Sequence, residues 1–248
     1  MLNTFQTLAV LPLPEARVAA RRLLGELAAS RSAESPDEPE ALAAIRAAAP
    51  RPIAPGSGAH PLPDAALHDK ILGGWLGRAA GCLLGKPVER HPRAALREML
   101  QSGGHWPLDH YWTEQGVPAD ILLRYPWKQR LGRESLRENI ACMPEDDDMN
   151  YPMLNLLVLE TCGPDFRSRD VGEAWLKHLP ALQVFTAERV AYFNLLDGRE
   201  PPESATHLNP FREWIGAQIR ADLWGYVSPG HPAQAAPRSR RAGATQTA

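Results

Sequence analysis

Residues 69–89, "DKILGGWLGRAAGCLLGKPVE", place Gly73, Gly77, Gly81 and Gly85 at intervals of four. Residues four apart share one face of an α-helix, so the segment reads as a helix with a glycine seam. Each interior glycine costs about 1 kcal/mol of helix propensity relative to alanine. Such a seam is tolerable where another backbone packs closely against it, which predicts a central helix rather than a peripheral one. Gly85 followed by Pro87 supplies a stop signal, leaving Lys86, Val88 and Glu89 just past the helix end.

A second constraint comes from "MPEDDDMNYPMLNLLVLE", residues 143–160. Leu154, Leu157 and Val158 fall on one helical face and Leu156 and Leu159 on the other, the pattern of a helix buried on both sides. Pro152 is admissible in a first turn, which puts the helix start near Asp148 to Asn150. Asp146, Asp147 and Asp148 then stand at its N-terminal mouth. Adjacent carboxylates repel one another, more strongly as they approach a low-dielectric interior. Three agents can offset the repulsion: the free N–H groups of a helix N-terminus, open water, or a hard divalent cation with oxygen ligands. Capping accounts for one acid or two. For a cation such as Mg²⁺, Glu89 is the natural fourth carboxylate, since it too follows the end of an apolar helix. Asn150 reads as an N-cap or as a substrate contact.

The rest of the chain supports an all-α fold. "PEARVAARRLLGELAAS" carries an apolar stripe at helical spacing, "DVGEAWLKHL" opens with Asp170 and Glu173 in capping-box spacing, and "TAERVAYFNLLDG" runs from Thr186 to a Gly198 stop. "FREWIGAQIRADLWG" has Phe211, Ile215, Ile219 and Leu223 on one stripe. No convincing alternating strand occurs. Residues 1–30 therefore read as an N-terminal amphipathic helix, 31–65 as a Pro/Ala-rich linker, 66–230 as the main helical domain, and 231–248 as a disordered low-complexity tail without an apolar residue larger than alanine.

Several functions are excluded on the same grounds. "GCLLGK" lacks the first glycine and the Ser or Thr of a phosphate-binding loop, and Arg78 interrupts any membrane-spanning reading of the glycine seam. His105 and His110 have no zinc-ligand spacing. With 27 Lys plus Arg against 29 Asp plus Glu, nothing draws the chain to nucleic acid or to a membrane surface. Cys82, Cys142 and Cys162 form no Cys-x-x-Cys pair and are expected as buried free thiols in a reducing, cytoplasmic setting, with no secretory leader.

Taken with "ENIACMPEDDDMNY", "AWLKHLPALQVFTAERVAYFNLLDGREPPESA" and "NPFREWIGAQIRADLWGYV", the glycine helix resembles the N-terminal part of the ADP-ribosylglycohydrolase family, from about Asp69 to Gly230. The resemblance implies an all-α fold with a dinuclear Mg²⁺ centre that cleaves the glycosidic bond between ADP-ribose and an acceptor, on a protein or a small ADP-ribosyl compound. The family's Thr-Asp-Asp motif corresponds to Asp146, Asp147 and Asp148 as metal ligands, with Asp in place of Thr at the first position. Glu89 corresponds to the glutamate closing the first helix region, and Glu89 and Asp147 are the candidates to hold the attacking water, with Glu89 and Asn150 facing substrate. A second acidic motif of Asp-x-Asp-Thr type has no counterpart after Gly230. One Mg²⁺ or none is therefore expected here instead of two, and slow hydrolysis or none. The alternative is a non-catalytic, truncated homologue that binds a cation or an ADP-ribose-like ligand weakly.

Overall fold

The computed structural model describes residues 12–29, 42–48, 62–127 and 130–245. Its helices are α1 (Leu13–Ala29), α2 (Leu42–Ala48), α3 (Asp64–Gly85), α4 (Arg93–Ser102), α5 (Ala119–Arg124), α6 (Arg130–Glu134), α7 (Asp147–Cys162), α8 (Ser168–His178), α9 (Thr186–Leu196), α10 (Glu203–Thr206), α11 (Asp222–Tyr226) and α12 (Pro232–Gly243). Three 3₁₀ turns, Lys86–Val88, Ala181–Gln183 and Ile215–Arg220, join them. No strand occurs among the described residues, so the fold is all-α as expected. Helix α1 lies where the N-terminal helix was expected, and much of the expected linker, residues 31–41 and 49–61, lies outside the described residues. No described helix is long and apolar enough to cross a membrane.

The described residues fall into two compact units. Residues 62–150 form one of them. Its core comprises Met99, Val117 and Ile121, with a second cluster of Leu100, Trp112 and Leu136. The aromatic, Pro- and Gly-rich loops are ordered by backbone bonds such as Arg137 N–H to Trp112 O at 2.7 Å. His105 and His110 bond backbone carbonyls of Gln115 and Tyr111 at 2.8 and 2.7 Å. The 3₁₀ turn Lys86–Val88 packs on both α3 and α6, which holds Lys86 and Pro87 inside.

The glycine seam of α3 departs from expectation. Gly73, Gly77, Gly81 and Gly85 are all exposed, and a Cβ built on any of them meets nothing within 4 Å. The neighbouring Leu72, Leu76 and Leu84 are 46%, 60% and 39% exposed. This helix turns inward the face that bears Arg78, Cys82 and Lys86 instead. A glycine has no side-chain area to remove from water, so its face gains least from being covered.

The second unit contains residues 151–245 with the two N-terminal helices. Tyr151, Leu154, Asn155 and Val158 make the buried face of α7, while Leu156, Leu157 and Leu159 are half-buried, so the helix is sided rather than buried all round. Fully buried Trp175, Phe166, Trp224 and Val171 fill the core, with Phe166 stacked on Trp224 at 4.8 Å between ring centroids. Arg220, 1% exposed, lies over both Tyr151 and Trp175, 4.7 and 4.8 Å from the ring centroids, and 3.6 Å from Glu188.

Three local expectations are corrected here. Asp170 is not the cap of α8 but its third residue, accepting the Arg167 N–H at 2.6 Å. The stripe from Phe211 to Leu223 is broken into a turn, a 3₁₀ segment and α11, and Ile215 is 67% exposed. The expected disordered tail instead forms α12, which packs on α8, α11 and the Ile215–Arg220 turn. It is held without large apolar side chains. Arg241 stacks on Phe166 at 4.9 Å and donates to the carbonyls of Phe166 and Pro164, the Thr245 carbonyl accepts from Ser204 Oγ while Thr245 Oγ1 donates to the Ser168 carbonyl, and Ala242 is fully buried. Residues 246–248 lie outside the described residues.

Candidate functional site

Arg78, Cys82 and Lys86 occupy consecutive turns of one helical face, each one residue after a seam glycine. Lys86 keeps helical backbone angles, φ −57° and ψ −43°, so the face continues past Gly85 into the 3₁₀ turn. Opposite this face, within the 62–150 unit, stands the head of α7.

Asp146 caps that head. Its Oδ1 accepts the Asp148 N–H at 2.9 Å, and its carbonyl accepts the N–H groups of Met149 and Asn150 at 3.1 and 2.9 Å. Its Oδ2 accepts from Lys86 Nζ, and the two side chains are 6% and 4% exposed, a buried ion pair. The Cys82 sulfur and a carboxylate oxygen each from Asp146 and Asp148 lie within 4.8 Å of one another. The Asp148 backbone carbonyl accepts from the Arg78 guanidinium.

The electrostatics follow from these partners. Burial pushes the Asp146 carboxyl up, but the Lys86 bond, the Asp148 N–H and the Lys86 charge outweigh it and hold it below the usual range. Burial lowers Lys86, while the Asp146 bond and charge, then Glu89, raise it further, so the pair is ionised on both sides. Asp148 is pushed up by burial and then by the Asp146 charge, with Arg78 opposing. The Cys82 thiol is pushed well above its ordinary value by burial, by the Asp146 charge and by their hydrogen bond, which keeps it protonated.

The expected residues are thus only partly brought together. Asp146 and Asp148 converge; Asp147, the first residue of α7, is half-buried and outside the cluster of three. Glu89 is exposed on the turn after Val88, and its charge acts on Lys86. Asn150 donates through Nδ2 to Glu145 Oε1 at 2.7 Å. Cys82, Lys86 and Arg78 were not anticipated, although their four-residue spacing beside the seam marks a polar face on an otherwise apolar helix. Cys142 and Cys162 are exposed, against the expectation that all three thiols are buried.

The donor set fits one divalent cation and not a pair. Asp148 is a half-buried carboxylate whose charge is disfavoured by burial and by Asp146, and the carboxylate oxygens of both residues have lone pairs that a metal can use. Lys86 already neutralises Asp146, and neither Asp147 nor Glu89 joins the cluster to supply ligands for a second ion. Cys82 is a soft donor, foreign to the oxygen sphere of Mg²⁺.

A family model described as ADP-ribosylglycohydrolase matches residues 63–248. The match continues through α12, where the sequence resemblance was expected to stop at Gly230. No curated protein and no solved structure matches the chain.

Proposed function

The chain belongs to the ADP-ribosylglycohydrolase family, and from that premise we propose that it hydrolyses the glycosidic bond between ADP-ribose and an acceptor at the head of α7. The observation that carries the reading is the convergence of Asp146 and Asp148 on one point inside the matched segment. Asp146 and Asp148 are the residues to hold a single divalent cation, Mg²⁺ in the family reading, which supplies Lewis acidity and a template for ribose hydroxyls.

The chain's own residues have separable tasks. Lys86 fixes Asp146, and Asp146 fixes the first turn of α7. Asp148, whose carboxyl is pushed up by burial and the Asp146 charge, would give up its proton on holding the cation, so activation of the attacking water falls to other groups. Glu89 and Asp147, both outside the cluster, remain the candidates to orient that water, and Asn150 to meet the substrate. ADP-ribosylated proteins or small ADP-ribosyl compounds are the substrates of this reading.

A second reading, a non-catalytic homologue that binds ADP-ribose, is favoured by the Lys86–Asp146 pair, which neutralises one ligand carboxylate from within. Incubating the full chain with an ADP-ribosylated peptide and quantifying free ADP-ribose, with divalent cation or with EDTA, separates the two. Release that depends on the cation and is lost in Asp148→Ala supports the hydrolase. Calorimetric binding of ADP-ribose with no release under any cation establishes the binder.

A further inference from the structure

We infer that the Lys86 ammonium is a built-in rival of the divalent cation: it holds Asp146 Oδ2, must leave that oxygen when an ion binds, and thereby sets the ion's affinity low. The inference rests on reading the head of α7 as a cation centre, and it does not require that the chain turn over substrate.

Competition follows from where the bond is made. Lys86 Nζ donates to Oδ2 of Asp146, while Oδ1 accepts the Asp148 N–H at 2.9 Å and so caps α7. An ion drawn to Asp146 and Asp148 therefore has Oδ2 as the Asp146 oxygen it can take without disturbing the cap. Ammonium and dication repel each other there. The two side chains of the pair are 6% and 4% exposed, so little water stands between to screen the repulsion.

The charges around the cluster point the same way. Asp146 and Asp148 as carboxylates contribute two negative charges; Lys86 and the Arg78 guanidinium, which donates to the Asp148 carbonyl, contribute two positive ones. The group is balanced with no ion in it. Asp147 and Glu89 stand outside the cluster, half-buried and exposed, where water screens them. A dication entering beside an unmoved ammonium leaves an excess of two positive charges, whereas an ammonium displaced outward takes one of them out of the interior. Glu89, three residues further on and exposed, already acts on Lys86 by its charge and is the carboxylate that receives it.

A lysine with a purely structural task gives a different signature. Uptake of Mn²⁺, a hard dication with the oxygen preference of Mg²⁺, is measured calorimetrically on the full chain, and urea unfolding is followed at rising Mn²⁺. Lys86→Met is expected to bind Mn²⁺ at least tenfold more tightly than the parent, since a unit charge a few Å away is gone. It also recovers part of its lost stability as Mn²⁺ rises. Lys86→Arg keeps the charge and stays within a few-fold of the parent. Asp146→Asn added to Lys86→Met removes the gain. Glu89→Gln weakens uptake by the parent about twofold to fivefold and does nothing in the Lys86→Met background, which separates a receiver of the ammonium from a ligand of the ion. If Lys86→Met unfolds without an ion, its refolding on addition of Mn²⁺ supports the inference, and failure to refold at saturating Mn²⁺ overturns it. Uptake by Lys86→Met equal to or weaker than that of the parent overturns the inference while leaving the cation centre in place. Uptake by neither protein overturns the inference together with the cation centre it rests on.

Discussion

The Arg78 guanidinium donates to the backbone carbonyl of Asp148. In an α-helix that carbonyl would accept the N–H of residue 152, and residue 152 is a proline, which has none. Arg78 therefore supplies the donor that Pro152 removes, and so allows α7 to start at Asp147 with a proline beyond its first turn. Removing the guanidinium in Arg78→Met is expected to cost about 1 to 3 kcal/mol, the penalty of a desolvated acceptor. Pro152→Ala restores an N–H, so in the double variant the Arg78 loss shrinks. Denaturant unfolding of the four proteins in this cycle checks it; equal losses in both backgrounds would show that the two residues are not coupled.

Lys86→Met is expected to be more damaging, about 3 kcal/mol or more, because it leaves the Asp146 carboxylate buried without its counter-charge. The same change made together with Asp146→Asn should recover part of that loss. Urea midpoints of the single and double variants measure it.

The exposed seam gives a prediction of opposite sign. A Cβ on Gly77 meets nothing within 4 Å, so Gly77→Ala keeps every contact and gains helix propensity. Stability should rise by about 0.8 to 1 kcal/mol, seen as a higher thermal midpoint. A loss of comparable size would restore the reading in which a second backbone covers the seam.

Glu188 sets a pH dependence in the other unit. Burial pushes its carboxyl up, and Arg220 at 3.6 Å opposes without cancelling. A carboxyl raised on folding binds its proton more tightly in the native state. Its contribution is fully present below the unfolded value of about 4.3 and is lost as pH rises through the folded value. Glu188→Gln should flatten the fall in stability across that mildly acidic window, and unfolding followed at several pH values tests the slope.

Helix identity was legible along much of the chain because it depends on local periodicity. The stop after Gly85, the helix that follows the acidic triplet, and the Thr186–Leu196 helix ahead of Gly198, which takes φ +83°, are each set by residues within a few positions of one another. The acidic mouth was legible for the same reason: Asp146, Asp147 and Asp148 sit where a helix must begin. What local pattern does not contain is which face of a helix turns inward and which distant group meets a charge. Glycine spacing identifies a seam, yet whether the seam is covered depends on what else packs there, and α3 buried the neighbouring face. The charge of Asp146 was offset by Lys86, sixty positions away in sequence, an agent absent from the three that adjacent residues put forward. Composition likewise marked residues 231–248 as unable to fold, because it counts large apolar side chains, whereas α12 is held by Arg241 over Phe166 and by the hydrogen bonds of Thr245 with Ser204 and Ser168. Those contacts join residues more than forty positions apart. They exist only once the chain has folded, which is why the tertiary structure alone decided them.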